Sequence, residues 1–165
     1  MRRISFLLLS FASLLFSICM PAMGQQAGEQ ERNKQIARSF FEEVLDQGRF
    51  DKYADSHAKN FVAHAGDHEA TLEEDIAAAK EERKALPDMK IRVIQIIAER
   101  DLVSVYWSAS GTNTQAGMGI PATGKKIKID GMTLFRCKDG KIREEWSAWD
   151  MLSVLRQAGL YSPPQ

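Results

Sequence analysis

The chain has 165 residues, enough for one domain built on one hydrophobic core. Hydrophobic residues make up 44% and charged residues 27%, and the formal net charge is +0. That is an ordinary soluble balance with no basic excess to neutralise phosphates, so no nucleic-acid partner is expected.

The first residues differ in kind from the rest. Arg2 and Arg3 are followed by an apolar stretch from Ile4 to Ile18, broken only by serines, and then by Pro21-Ala22-Met23-Gly24. A positive head, a short apolar body and a small-residue exit describe a secretory signal over residues 1–24. The competing reading is a membrane anchor, but the apolar run is short for a bilayer and no basic flank follows it. Ile18 is a poor neighbour for lipoprotein processing at Cys19, and the paired arginines hint only weakly at the folded-export route. The expectation is an exported protein, periplasmic or secreted, with no membrane attachment after cleavage. Residues 25–165 then form a single domain with one cysteine, Cys137, which lies in an apolar strand and reads as a packing residue.

Residues 25–31 are polar. Ile36, Ala37, Phe40 and Val44 recur at helical spacing and predict a helix over about 30–46, closed by Gly48. Asp51 can cap a short second helix carrying Tyr53, Ala54 and His57. Residues 60–65 read as a short strand. Thr71 and Glu74 form a capping box for a third helix, which Pro87 stops. On that helix Leu72, Ile76, Ala79, Arg83 and Leu86 share a narrow stripe, with Arg83 as its one charged member. Beyond Pro87-Asp88 the period turns strand-like. Strands are predicted over 89–99, 102–114, 125–137 and 141–150, the third bulged near Gly131. Val103, Val105, Trp107 and Ala109 share one face of the second. The glycine-rich segment 115–124 reads as a loop, Asp139-Gly140 as a hairpin turn, and 151–158 as a closing helix. Helices first and then an antiparallel meander predict an α+β fold, a curved sheet closed by helices around a concave pocket for a small-molecule ligand.

Several segments, taken in order, resemble the SnoaL-like polyketide cyclases, a branch of the nuclear transport factor 2-like fold. They are Asn33 to Asp51 with its Gln47-Gly48-Arg49-Phe50-Asp51 ending, Phe61-Val62-Ala63-His64, and Arg83-Lys84-Ala85-Leu86-Pro87-Asp88. Ser110-Gly111-Thr112 and Ile120-Pro121-Ala122-Thr123-Gly124-Lys125 follow. The fullest match is Asp139-Gly140-Lys141-Ile142-Arg143-Glu144-Glu145-Trp146, then Asp150, Leu155 and Gln157-Ala158-Gly159-Leu160. The resemblance implies a cone-shaped α+β fold, a homodimer or larger assembly, and ester cyclisation by an intramolecular aldol step without metal or organic cofactor. It also implies an aspartate near the end of the last strand that moves the proton, which falls on Asp150. The histidine that assists in characterised members has no counterpart in Leu134-Phe135-Arg136-Cys137.

The candidate site residues follow. If no bulge intervenes, Ile142, Glu144, Trp146, Ala148 and Asp150 share one strand face. A carboxyl among apolar groups resists ionisation and can trade a proton with a carbon acid. The competing role for Asp150 is the cap of the helix that begins at Met151. Arg83 can face a substrate anion or be held by an internal partner. His64 can donate into the pocket or be a half-buried histidine of the fold. Trp107, Met132, Trp146 and Trp149 are expected to line the pocket, although inward aromatics also serve as core. His64, Asp67 and His68 invite a metal reading, but Gly66 interrupts them and His57 is the only other histidine, so no metal is expected. The function expected is acid/base chemistry of cyclase, isomerase or lyase type on a small apolar carbonyl compound. The alternatives are a non-catalytic pocket protein of the same fold and a structural dimer joined through its sheet.

Overall fold

A computed structural model describes the backbone of residues 10–162 and the side chains of residues 24–162. The expected export signal lies partly outside the described residues. From Ser10 the backbone is helical and continuous with the first helix, α1 (Ser10–Ser39), and no described helix is long and apolar enough to cross a membrane. Phe40–Leu45 extends α1 as a π-helical turn in which Asp46 N–H reaches back to the Phe41 carbonyl at 2.9 Å. The wider turn brings Phe40, Phe41 and Val44 together into the interior. A 3₁₀ turn (Phe50–Lys52) leads into α2 (Tyr53–Ser56), whose ends carry no side-chain cap, so Asp51 does not have the capping role expected of it.

Six strands form one curved, open sheet: β1 (His57–Ala65), β2 (His68–Ala70), β3 (Lys90–Glu99), β4 (Leu102–Thr112), β5 (Lys126–Lys138) and β6 (Lys141–Trp149). Their spatial order is β2-β1-β6-β5-β4-β3. All neighbours are antiparallel except β1 and β6. That parallel pair joins the first strand to the last, across the whole length of the meander. The hairpin between β5 and β6 turns on Asp139 and Gly140, both with positive φ (53° and 72°), as the Asp-Gly pair predicts. Helix α3 (Leu72–Ala85) opens on the predicted capping box, with the Glu74 carboxylate accepting from Thr71 N–H at 2.8 Å. Helix α4 (Met151–Gln157) closes the chain.

The helices cover the concave face of the sheet. One buried cluster joins Phe40, Phe41, Val44 and Tyr53 to Phe61, Val103, Val105, Phe135 and Ile142. A second, around Leu86, Ile127 and Val154, seals the end where α4 packs. Cys137 sits in the first cluster, and burial pushes its thiol up to about 12, so it packs and does not react at neutral pH.

Two local departures set the site. The bulge expected near Gly131 is absent: Trp107 pairs directly with Gly131, and Gly131 with Trp149. Gly131 is instead required because the Trp107 indole lies across it, so that a Cβ would overlap the ring. The bulge falls in β6. Cys137 pairs with Ile142 but Arg136 pairs with Glu144, which leaves Arg143 as the extra residue and reverses the facing of everything after it.

Replacing Gly131 by Ala should destabilise the fold by about 1–3 kcal/mol, because the indole has to leave its place against the sheet. Denaturant unfolding of Gly131→Ala checks this, and an unchanged midpoint would mean that Trp107 does not occupy that position.

Candidate functional site

A cavity of about 410 Å³ lies between α3, the π-helical turn and the concave face of the sheet. That volume suits a small organic molecule. Phe40, Phe41, Leu86, Met89, Ile91 and Trp107 give it an apolar wall, and Trp149, 37% exposed, also lines it. The polar atoms come from two places. Asp75 and Glu82 stand two turns apart on α3, with Ala78 and Ala79 between them on the same side. Glu145, Ser147 and Trp149 follow one another on the inner face of β6, in the facing that the Arg143 bulge produces.

Each carboxyl has a defined setting. Tyr53 donates its hydroxyl proton to Asp75 Oδ2. Ser147 Oγ donates to Glu145 Oε1 at 2.7 Å. The Thr133 and Ser147 hydroxyls are 2.7 Å apart, and Trp107 Nε1–H donates to Thr133 Oγ1 at 3.0 Å. Each hydroxyl has one proton, so the chain runs in one direction: Trp107 to Thr133 to Ser147 to Glu145. It holds one oxygen of Glu145 and leaves the other, Oε2, inaccessible to water and without a partner. As a residue Glu145 is only half-buried, but its carboxyl end is enclosed, directly opposite the fully buried Phe135.

Among the described residues, no Lys or Arg lines the cavity. Burial, reinforced by the negative charge of Asp75, raises Glu145 to about 8. The same two causes raise Glu82 to about 7. Burial also raises Asp75, against the Tyr53 hydrogen bond that favours its ionised form. Glu145 is therefore mainly protonated at neutral pH, and Glu82 is poised between its two forms.

His57 stands behind this cluster, stacked on Tyr53 at 4.7 Å and 2% exposed. Its Nδ1 lies 3.0 Å from the Tyr53 carbonyl, which makes Nδ1 the protonated nitrogen and leaves Nε2 with a lone pair. Nε2 has no partner, and burial lowers the ring's pKa to about 4. One nitrogen of His57 and one oxygen each of Asp75 and Glu145 lie within 4.8 Å of one another. This is the group among the described residues whose composition suits a metal ion. However, neither carboxylate is within ion-pair distance of the ring, whereas ligand atoms on a tetrahedral zinc stand roughly 3.4 Å apart. Coordination would need the walls to move inward.

The residues expected from sequence are not brought together. Asp150 is the N-cap of α4, its Oδ1 accepting from Ser153 N–H at 3.0 Å, and it lies outside this cavity. Arg83 is held internally. Its guanidinium donates to the carbonyls of Met89 (2.6 Å), Asp46 (2.8 Å) and Leu45, tying the end of α3 to the end of the π-helical turn. His64 reaches the cavity rim, but its ring stacks on Trp146 at 4.4 Å and Nε2 lies 3.2 Å from Glu144 Oε2 on the outer face. Trp107 and Trp149 line the cavity as expected. Trp146 and Met132, the latter 53% exposed, belong to the outer face and do not line it. Asp75, Glu82 and Glu145 were not among the expected residues. The available signal was the pair of acids seven residues apart around Ala78 and Ala79, which places both on one helical face.

Comparison with known proteins agrees with this architecture. IdmH of Streptomyces antibioticus, a candidate polyketide cyclase, superposes with a TM-score of 0.68 at 26% identity, over 77% of this chain and 98% of its own. A candidate SnoaL-like polyketide cyclase from Jannaschia sp. CCS1 gives 0.73 at 22% identity, over 82% and 95%. AclR of Streptomyces galilaeus, a candidate hydroxylase, gives 0.73 at 21% identity, over 81% and 99%. No curated protein matches the chain. The family model of the SnoaL-like polyketide cyclases matches residues 35–158, which is most of the chain and includes every carboxyl of the cavity, and the chain therefore belongs to that family.

Proposed function

We propose that the protein is an acid/base enzyme that moves a proton on a small, largely apolar carbonyl compound, and that it works outside the cytoplasm. The observation that carries this reading is the pair Glu145 and Glu82, enclosed in an apolar cavity whose lining, among the described residues, contains no Lys or Arg. General acid/base catalysis is most effective when the group's pKa lies near the working pH, and burial brings both carboxyls there. Their environments differ, which separates their roles. Glu145 is fixed by Ser147 and turns its unpartnered Oε2 inward. Glu82 sits one face of α3 away, with Asp75 as its charged neighbour. One carboxyl takes a proton from the carbon beside the carbonyl while the other supplies one to the oxygen. Glu145, which keeps its proton at neutral pH, is the donor and ionised Glu82 the acceptor, and the Trp107–Thr133–Ser147 chain holds Glu145 in place without a charge of its own. The export reading rests on the Arg2-Arg3 start and the apolar body that follows.

Proton–deuterium exchange at the carbon beside the carbonyl, followed by NMR over a panel of aryl ketones and β-keto esters in D₂O, tests the chemistry. Glu145→Gln and Glu82→Gln should each slow exchange by about 100-fold or more. Asp150→Asn, which preserves a helix cap, should leave the rate within about twofold. Exchange that survives both glutamine variants, or that is lost with Asp150→Asn, would overturn the assignment.

The same carboxyls shape the pH dependence of stability. Glu145 and Glu82 bind protons more tightly folded than unfolded, where glutamate titrates near 4.5. Their contribution is therefore complete below about pH 4.5 and is lost as pH rises through about 7 and about 8. His57 acts in the opposite direction: its pKa falls from 6.5 to about 4, so its share is lost as pH falls through that window. Between pH 4.5 and 6.5 the two carboxyls together outweigh His57, so melting temperature should peak near pH 4.5 and decline from there to about pH 8. The Glu82→Gln/Glu145→Gln double variant should lose the alkaline decline and keep the acid one. A flat profile in the unaltered protein from pH 6 to 9 would show that both carboxyls ionise normally.

A further inference from the structure

We infer that Met118 sets the length of the ligand: the cavity takes a carbonyl compound with an extended apolar tail, and the tail ends against this side chain. The inference rests on the acid/base reading of the cavity and adds the shape of the compound on which it acts.

The first observation is the direction of the cavity. Inward side chains stand in rows across the sheet. Glu145 is opposite Phe135, Ser147 opposite Thr133, Trp149 opposite Gly131, and Ile129 opposite Ala109, which pairs in turn with Ile91. Successive rows are two residues apart, ~6.7 Å along the strands, so roughly 20 Å separates the Glu145 row from the Ile129 row. One oxygen of Asp75 lies within 4.8 Å of one of Glu145, at the first end. Leu86 and Met89 are at the other, against Gly111, the next position on the inner face of β4. Ile127, which pairs with Gly111, belongs to the closed second cluster and lines no part of the cavity. The cavity is therefore acidic at one end and aliphatic at the other. Met118 lines the aliphatic end, packed on the second cluster with Ile129.

The second is the backbone at Met118. Among the described residues, Arg100, Met118 and Asp139 are the non-glycine positions with positive φ. Arg100 and Asp139 lie exposed at hairpin tips, whereas Met118 is partly buried. Met118 and Gly119 (φ 54° and 74°) form a two-residue turn between Gly117 and Ile120, whose main chains exchange hydrogen bonds of 3.1 and 3.0 Å. Asn or Gly suits the first place of such a turn, and a long apolar side chain there is strained. The turn itself gains nothing from methionine, so the reason for it is the side chain's place in the cavity wall.

The third is how firmly the turn is held. Asn113, 0% exposed, pins the neck of the loop. Its Nδ2 donates to the Gln115 carbonyl at 2.8 Å, and its Oδ1 accepts from the Thr123 N–H at 2.9 Å and the Thr123 hydroxyl at 2.8 Å. Thr114 N–H donates to the Ala85 carbonyl at 3.2 Å, and Gly117 lies so close to Ala85 that a Cβ would overlap it. Ile120 is buried on the far side of the turn. Met118 is thus carried on a fixed main chain, and its own side chain ends the cavity.

Methyl ketones with butyl, hexyl, octyl, decyl and dodecyl tails test the inference on the purified protein. Binding is read from tryptophan fluorescence, since Trp107 and Trp149 line the cavity, and reaction from proton–deuterium exchange. Affinity in the unaltered protein should rise with tail length and then fall at the first tail too long to fit. Met118→Gly, which suits the left-handed backbone, should bind that tail at least about tenfold more tightly than the unaltered protein does, and the butyl ketone within about twofold of it. Met118→Phe should move the limit to a shorter tail. A residue that only packs would change the affinity for every tail alike. No limit, a limit at the same tail in both variants, or no binding of any ketone would overturn the inference. A limit that moves with Met118 while no ketone exchanges its protons would sink the acid/base reading alone. Exchange at rates that ignore both tail length and Met118 would sink only this one.

Discussion

The facing of β6 decides what this protein can do, and one extra residue decides the facing. Because side chains alternate along a strand, inserting Arg143 between Ile142 and Glu144 exchanges the two faces of everything that follows. Without the bulge, Glu144 and Trp146 would point at Phe40 and Phe41, and Glu145 would point at solvent. With it, Glu145, Ser147 and Trp149 enter the cavity, while Glu144 and Trp146 join an outer cluster. That cluster favours the arrangement. Arg136 donates to Glu144 at 2.7 Å and lies over the Trp146 ring, and His64 packs on the other members. The hydrogen bond from Arg136 holds the Glu144 carboxyl below its usual range, the opposite of what burial does to Glu145 next to it. Two adjacent glutamates thus differ in charge at neutral pH because one faces an arginine and the other faces phenylalanines.

The fold was largely legible in the sequence because its signals are local. The capping box at Thr71 and Glu74, the Asp139-Gly140 turn and the β-branched runs each specify a few bonds between near neighbours, and each was realised. The parallel pairing of β1 with β6 was not legible, since it joins residues about 80 positions apart and leaves no local trace. The short β2 was missed for a related reason: three residues are too few to show a period. The bulge in β6 was invisible because Ile-Arg-Glu-Glu-Trp alternates acceptably in either facing.

The site was less legible than the fold, for one physical reason. Acidic residues on a helix ordinarily mark the solvated side, so Asp75 and Glu82 look like surface charges, while Arg83 looks anomalous on its apolar stripe. The apolar members of that stripe, Leu72, Ile76, Ala79 and Leu86, do pack into the core, but the cavity-lining face lies beside it. The face of α3 that lines the cavity runs through Asp75, Ala78, Ala79, Glu82 and Leu86, with the alanines leaving room for a ligand. Arg83 is turned aside, and its two terminal nitrogens donate to the Leu45 and Asp46 carbonyls where the first helix ends and to the Met89 carbonyl just before β3. Asp150 was plausible in either of two roles, and the choice depends on where β6 ends. The strand stops at Trp149, so the aspartate meets the first turn of α4 and its carboxylate goes to Ser153 N–H.

An uncharged relay in the wall and acids in the cavity are two parts of one arrangement. A lysine or arginine in place of Thr133 or Ser147 would neutralise Glu145 and return its pKa to the ordinary range. Trp107, Thr133 and Ser147 instead give direction without charge: each donates to the next, and the last fixes a single oxygen of Glu145. Gly131 is what lets the indole lie close enough to begin the chain. The carboxyl is thereby held in place and still kept short of a counter-ion, so burial favours its protonated form and leaves it ready to trade that proton with whatever the cavity holds.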